Sequence, residues 1–223
     1  MVGRAEEAAE MAEAFLFVRD LFAPPSDSQW SRLTSAETRT AWTAMADRLG
    51  VSRALNLPSN AIDYETAFIA AFEAGAPHAL VPLTESHYNK TEPVPRILHE
   101  NVLFYRSFGL RLRHASNETS DHLRHQLEFV GHLFRMEAEE LRGRRDPEVV
   151  SQIRAGRRDF LERHLLTWLP EAADLTRKAP HRFRWAASLV AMALNLTVLA
   201  LREAGTASPG ENPGNCSTSG NTV

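Results

Sequence analysis

The 223-residue chain has little of what would make its chemistry obvious. A single cysteine, Cys216, excludes an intrachain disulfide and any zinc or iron–sulfur site built on thiolates. There is no cationic excess: 25 Lys plus Arg face 28 Asp plus Glu, a formal charge of −3. The clustered positive charge that neutralises phosphates is missing, so no nucleic-acid partner is expected. There is no Gly-rich phosphate loop, hence no sign of a bound nucleotide or other cofactor, and no His-Glu-x-x-His pair. No stretch alternates apolar and polar residues with period two, and there are no internal repeats. The start, Met1-Val-Gly-Arg-Ala-Glu-Glu, puts acidic residues ahead of any apolar run and does not read as a signal peptide. The longest apolar run, Ala186 to Leu201, is interrupted by Ser188, Asn195 and Thr197 and bracketed by Arg184 and Arg202. It is short for a bilayer and reads as a buried helix, without stable membrane insertion. A reducing compartment, the cytoplasm, is the expected location.

What is present is helical spacing. With 43% apolar and 24% charged residues the chain is globular in composition. Phe15, Val18 and Phe22 mark a first helix, ended by Pro24-Pro25. Ser28 or Ser31 opens a second, through Trp30, Leu33, Trp42, Met45 and Leu49 to Gly50. Tyr64, Phe68 and Phe72 lie at i, i+4 and i+8 in a third, ending at Gly75-Ala-Pro77. A proline-rich loop runs from His78 to Pro95. A fourth helix carries Ile97, Val102, Tyr105 and Leu112. Beyond the polar segment Ala115–Ser120 a fifth spans Asp121 to Leu141. Asp146-Pro147 caps a sixth, through Ile153, Phe160 and Leu165, with a kink or break near Pro170. Pro180 opens a seventh, with Trp185, Leu189, Met192 and Leu196. The fold class is all-α, a single-domain bundle of about seven or more helices over residues 1–204. The Gly-, Ser-, Pro- and Asn-rich residues 205–223 form an expected disordered tail, in which Cys216 is an incidental thiol.

The fifth helix is the unusual one. Leu123, Leu127, Val130, Phe134 and Leu141 make a core stripe. His122, His125 and His132 share another face with Asp121, Glu128, Phe129 and Met136. Three readings compete for that face. Thr119, Ser120 or Asp121 can simply cap the helix, leaving the histidines as ordinary surface. His122, His125 and Glu128, at i, i+3 and i+6, could hold Zn²⁺ or Fe²⁺ in a small metal-dependent hydrolase. Or carboxylates at the helix start could meet a cationic partner while the aromatic residue takes its apolar part.

Four ordered motifs favour the third reading. Asp121-His122-Leu123 with Leu127-Glu128-Phe129 resembles the D-H-L-x-x-E-L-E-F signature of the TorD/DmsD/NarJ chaperones of molybdenum oxidoreductases. Glu85-Ser86-x-Tyr88 is similar to that family's E-[ST]-x-Y segment. Val102-x-x-Tyr105-x-x-Phe108-Gly109-Leu110 is similar to its F-Y-x-x-F-G-L stretch. His164-Leu165-x-x-Trp168-Leu169-Pro170 is similar to its H-L-x-x-W-x-P segment. The resemblance covers about residues 10–203 and lies nearest the chaperones of the type II DMSO reductase group. One position departs: Gln126 stands where a glutamate is usual.

The resemblance implies a TorD-like fold and a non-enzymatic, cytoplasmic protein. Its partner would be the apo catalytic subunit of a molybdopterin-containing oxidoreductase, and potentially that subunit's twin-arginine leader. This chain's own Arg144-Arg145 and Arg157-Arg158 pairs lack the apolar stretch of such a leader. The resemblance places Asp121 and His122 at the centre of a docking surface, with Glu118 and Glu128 as further acids and Glu85, Ser86 and Tyr88 as an opposing wall. His122 would titrate near neutrality and tune affinity. Trp168 and Pro170, like Tyr105, Phe108, Leu127 and Leu133, are expected to pack. Monomer and dimer both remain open.

Overall fold

Polar side chains cap five of the helix starts among the described residues of the computed structural model, which describes residues 2–74, 79–112, 118–143 and 146–205. α1 (Val2–Leu21) is followed by α2 (Asp27–Leu33) and α3 (Ala36–Leu49). The expected second helix is thus two helices. Ser26 caps α2 by accepting from the Gln29 N–H, and Ser35 restarts the chain as α3 by accepting from the Thr38 N–H. Neither Ser28 nor Ser31 is a cap. Gly50 ends α3 in the left-handed region, φ +67°. α4 (Ala61–Phe68), capped by Asn60, runs into a π-turn at Ile69–Glu73.

The loop expected from His78 to Pro95 contains a short helix, α5 (Glu85–Tyr88). α6 (Val94–Ser107) stops earlier than its apolar spacing suggests, because Gly109 turns the chain at φ +81° and leaves Leu112 outside. α7 (Leu123–Arg142) begins two residues later than expected, with His122 as its N-cap. α8 (Pro147–Phe160) is capped by Asp146 as anticipated. A π-turn at Leu161–Leu165 joins it to α9 (Leu166–Lys178). Pro170 lies inside α9, and the irregularity expected there falls one turn earlier, in the π-turn. A 3₁₀ turn at His181–Phe183 leads into α10 (Arg184–Gly205). Among the described residues there is no strand, only an isolated antiparallel bridge between Thr84 and His122.

One apolar cluster runs through these helices, with Phe15, Trp42, Tyr64, Leu127, Phe160, Trp168 and Trp185 buried in it. α1 lies along α7. A Cβ added at Gly131 would sit 3.3 Å from the Ala12 carbonyl oxygen, so glycine permits this approach. The stretch His181–Glu203 is long and apolar enough to cross a membrane by length and composition, more so than the interrupted run suggests. In the bundle its Trp185, Leu189, Met192 and Leu196 side chains are buried. The expected helix end at Gly75–Pro77, residues 115–117 of the polar segment, Arg144-Arg145 and all of the tail beyond Gly205 lie outside the described residues.

Candidate functional site

The Asp121 segment is a junction between three parts of the chain. Residues 83–85 lie antiparallel to residues 121–123: the Leu123 N–H donates to the Leu83 carbonyl (2.8 Å) and the Glu85 N–H to the Asp121 carbonyl (3.2 Å). The Asp121 carboxylate accepts from the Ser86 N–H at 2.9 Å and from the Thr119 hydroxyl. It therefore neutralises a free donor at the start of α5, across 35 residues of sequence. His122 caps α7, its Nδ1 accepting from the Arg124 N–H at 3.2 Å. Tyr88 closes the short helix, donating to the Pro82 carbonyl and stacking on Trp168 with ring centroids 5.2 Å apart.

Beneath this junction is a fully buried polar cluster. Glu85 Oε2 accepts from Gln126 Nε2 (2.7 Å) and Asn101 Nδ2 (3.1 Å), and His164 Nδ1 donates to it at 3.0 Å. Trp168 Nε1 in turn donates to Gln126 Oε1 at 3.1 Å. Tyr105 donates to the Ser120 carbonyl at 2.7 Å, and burial raises its pKa well above the usual phenol value. All these side chains are at most 7% exposed. An unpaired carboxylate would be expensive here, and three donors converge on it instead. The cluster also explains Gln126. Its amide donates to Glu85 and accepts from Trp168, whereas a carboxylate there would have no proton to offer Glu85 and would set two acids side by side.

Four sequence motifs thus meet in one place, but not as an open acid-and-imidazole face. Asp121 is 0% exposed and Glu85 is 2% exposed; the expectation that they present free carboxylates is corrected, because their oxygens are already taken by their own chain. Ser86 and Tyr88 are half-buried and belong to the same internal junction. Phe129, grouped with the polar face from its spacing, is buried against Phe160 at 4.6 Å between centroids, because α7 is covered on two sides. Trp168, Tyr105, Leu127 and Leu133 pack as expected. Sequence reasoning missed Asn101 and His164 as cluster members; a polar residue within an apolar helical stripe was the available signal.

Above the junction lies a more accessible rim. Glu118 pairs with Arg124 at 2.5 Å, and one of its oxygens lies 3.8 Å from His122 Nδ1 and 3.6 Å from His125 Nε2. Burial pushes the His122 pKa down to about 4, with Glu118 opposing, and burial lowers that of His125 as well. An Nδ1 that accepts a backbone N–H is also unprotonated. The expected titration of His122 near neutrality is therefore corrected: the ring is neutral there. Glu128 is half exposed, 3.4 Å from Arg19. Glu118, not Glu128, is the acid beside the two imidazoles. Among the described residues, no three His, Cys, Asp or Glu side chains converge as metal ligands. A cavity of about 500 Å³ opens beside the rim, lined by Tyr105, Leu110, Leu112, Phe129, His125 and Glu128, together with Arg111.

Residues 32–174 match the nitrate reductase delta subunit family. The chain is 33% identical over 164 residues to the selenate reductase assembly chaperone protein of Thauera selenatis, covering 72% of this chain and 74% of the relative. It is 30% identical over 161 residues to the chlorate reductase assembly chaperone protein of Ideonella dechloratans, with the same coverage of 72% and 74%. It is 28% identical over 180 residues to the chaperone protein TorD of Vibrio cholerae, covering 73% of this chain and 78% of the relative. These relatives are named as chaperones and not as enzymes, and none lends support to a metal-dependent hydrolase.

Proposed function

Because the chain belongs to the nitrate reductase delta subunit family, that of the TorD- and NarJ-type chaperones, we propose that it is an assembly chaperone for a molybdenum oxidoreductase. In this reading it binds the apo catalytic subunit in the cytoplasm and holds it until cofactor is inserted. The observation that carries the reading is the 33% identity, over 72% of the chain, to a relative named as an assembly chaperone.

The docking region in this proposal is the rim and its cavity. Glu118, His122 and Glu128 meet the client directly, while Asp121, Glu85, Ser86 and Tyr88 act from below by holding the wall in place. A client segment with a basic end and an apolar middle, such as a twin-arginine leader, suits this surface. Guanidinium groups would bond to Glu128 and Glu118, each net about 1.5–3 kcal/mol. Apolar side chains would enter beside Leu110, Leu112 and Phe129.

The test is co-expression with the apo catalytic subunit of a selenate- or chlorate-reductase-type enzyme, followed by size exclusion and calorimetry. A stable complex is expected, weakened about tenfold or more by Glu128→Gln. No complex with any such subunit would overturn the reading, and full affinity in that variant would move the docking surface elsewhere. Calorimetry with the isolated leader separates leader recognition from binding of the folded subunit.

A further inference from the structure

On another side of the bundle, a cleft of about 430 Å³ is walled by α1, α3, α7, α8 and α10. Arg4, Arg48, Arg154 and Arg157 line it, with Glu7, Glu137 and Glu203. The rim and the chaperone reading use none of these residues.

Its cations are under-neutralised. Arg157 forms the floor, 2% exposed, with its guanidinium carbon 3.7 Å from the centre of the Phe134 ring. A guanidinium so placed needs most of its donors matched. Nη1 donates to Glu137 Oε2 at 2.5 Å, but Nε is buried with no hydrogen-bond partner. Glu137 is shared, because Arg154 Nη2 lies 2.6 Å from its other oxygen. One carboxylate thus serves two guanidiniums. Arg48 reaches Glu203 only at 3.5 Å, and burial makes Glu203 a weaker counter-ion by raising its pKa. Arg4 forms no ion pair among the described residues. Glu7, also exposed in the lining, leaves the four guanidiniums one positive charge ahead of the three carboxylates.

We propose that this cleft binds the oxyanion group of a small molecule, a phosphate or a carboxylate, held by Arg4, Arg48 and Arg154 above the Arg157 floor. Arginine suits this task because its planar donors engage two oxygens at once. The cleft is larger than a bare phosphate, leaving room for the molecule that carries the group.

The test uses the full chain, titrated with inorganic phosphate and separately with acetate at constant ionic strength in chloride. Binding is read by calorimetry and by melting temperature. A saturable rise in melting temperature above the chloride control is expected for one of the two anions, and which one identifies the source of the oxyanion. The Arg4→Gln, Arg48→Gln double variant alters only exposed side chains, so it should melt as the parent does in chloride but bind the anion at least tenfold more weakly. Glu128→Gln, at the rim, should bind it like the parent. Absence of saturable binding of both anions overturns the proposal, as does unchanged binding in the double variant. Arg157→Lys, which keeps the charge but loses the planar donors, should also weaken binding. Failure of that variant to fold leaves the double variant to decide.

Discussion

The buried cluster around Glu85 and the rim around Glu118 both set a carboxylate beside imidazole near the start of α7, yet they do opposite things. In the cluster every oxygen of Glu85 faces a donor from another element: Asn101 from α6, Gln126 from α7, and His164 from the π-turn before α9. In the rim, Glu118 is half-buried and pairs with Arg124, while Glu128 pairs with Arg19 in the open, where water competes and such a pair is worth little. Acid and imidazole in a motif do not by themselves mark a contact surface. What decides is whether other parts of the chain supply partners.

The sharpest way to break this contrast is Glu85→Ala. It strands three buried donors and should destabilise the protein by about 3–5 kcal/mol, read as a large drop in melting temperature. A loss under 1 kcal/mol would mean that the cluster does not anchor the fold. Acid comes next. His122 stays neutral in the folded chain down to about pH 4, whereas in the unfolded chain it takes a proton near pH 6.5. Its contribution is therefore complete above pH 6.5 and is lost as pH falls towards 4, by up to about 3 kcal/mol. Denaturant titrations across that window should show the decline, and His122→Gln should flatten much of it.

Asp121→Ala should cost about 1–2 kcal/mol by removing the acceptor at the start of α5. Hydrogen exchange should then quicken at Ser86 while α7 stays protected; equal quickening throughout α7 would contradict the placement of Asp121 at this joint. The smallest stability effect belongs to Glu128→Gln, within about 0.5 kcal/mol. Client affinity should fall in that variant all the same, and this split between stability and binding is what separates rim from cluster. A matching stability loss would show that Glu128, too, is structural.

Much of the architecture was readable from apolar spacing. The stripes through Phe15 and Val18, through Leu123, Leu127 and Val130, and through Leu189, Met192 and Leu196 all face the core. Such stripes depend only on helix period. The breaks were harder to read. Ser35 divides one amphipathic run into two helices with a single side-chain bond, and Leu112 has the right spacing for α6 but follows the turn at Gly109. Gly156 shows the same limit. A Cβ there would meet the Phe108 ring at 2.2 Å, a constraint that joins residues 48 apart and leaves no local trace.

By itself, the sequence determined the helical class, the faces that pack, and, through four ordered motifs, the family. Those follow from local periodicity and from residue identity, which a linear chain carries in full. The fold alone sets Asp121 and Glu85 inside, Glu118 half-buried at the rim and Glu128 in the open. Burial of the Glu85 charge depends on partners brought to it from 16 to 79 residues away, and a motif records the carboxylate but not what the fold sets opposite it.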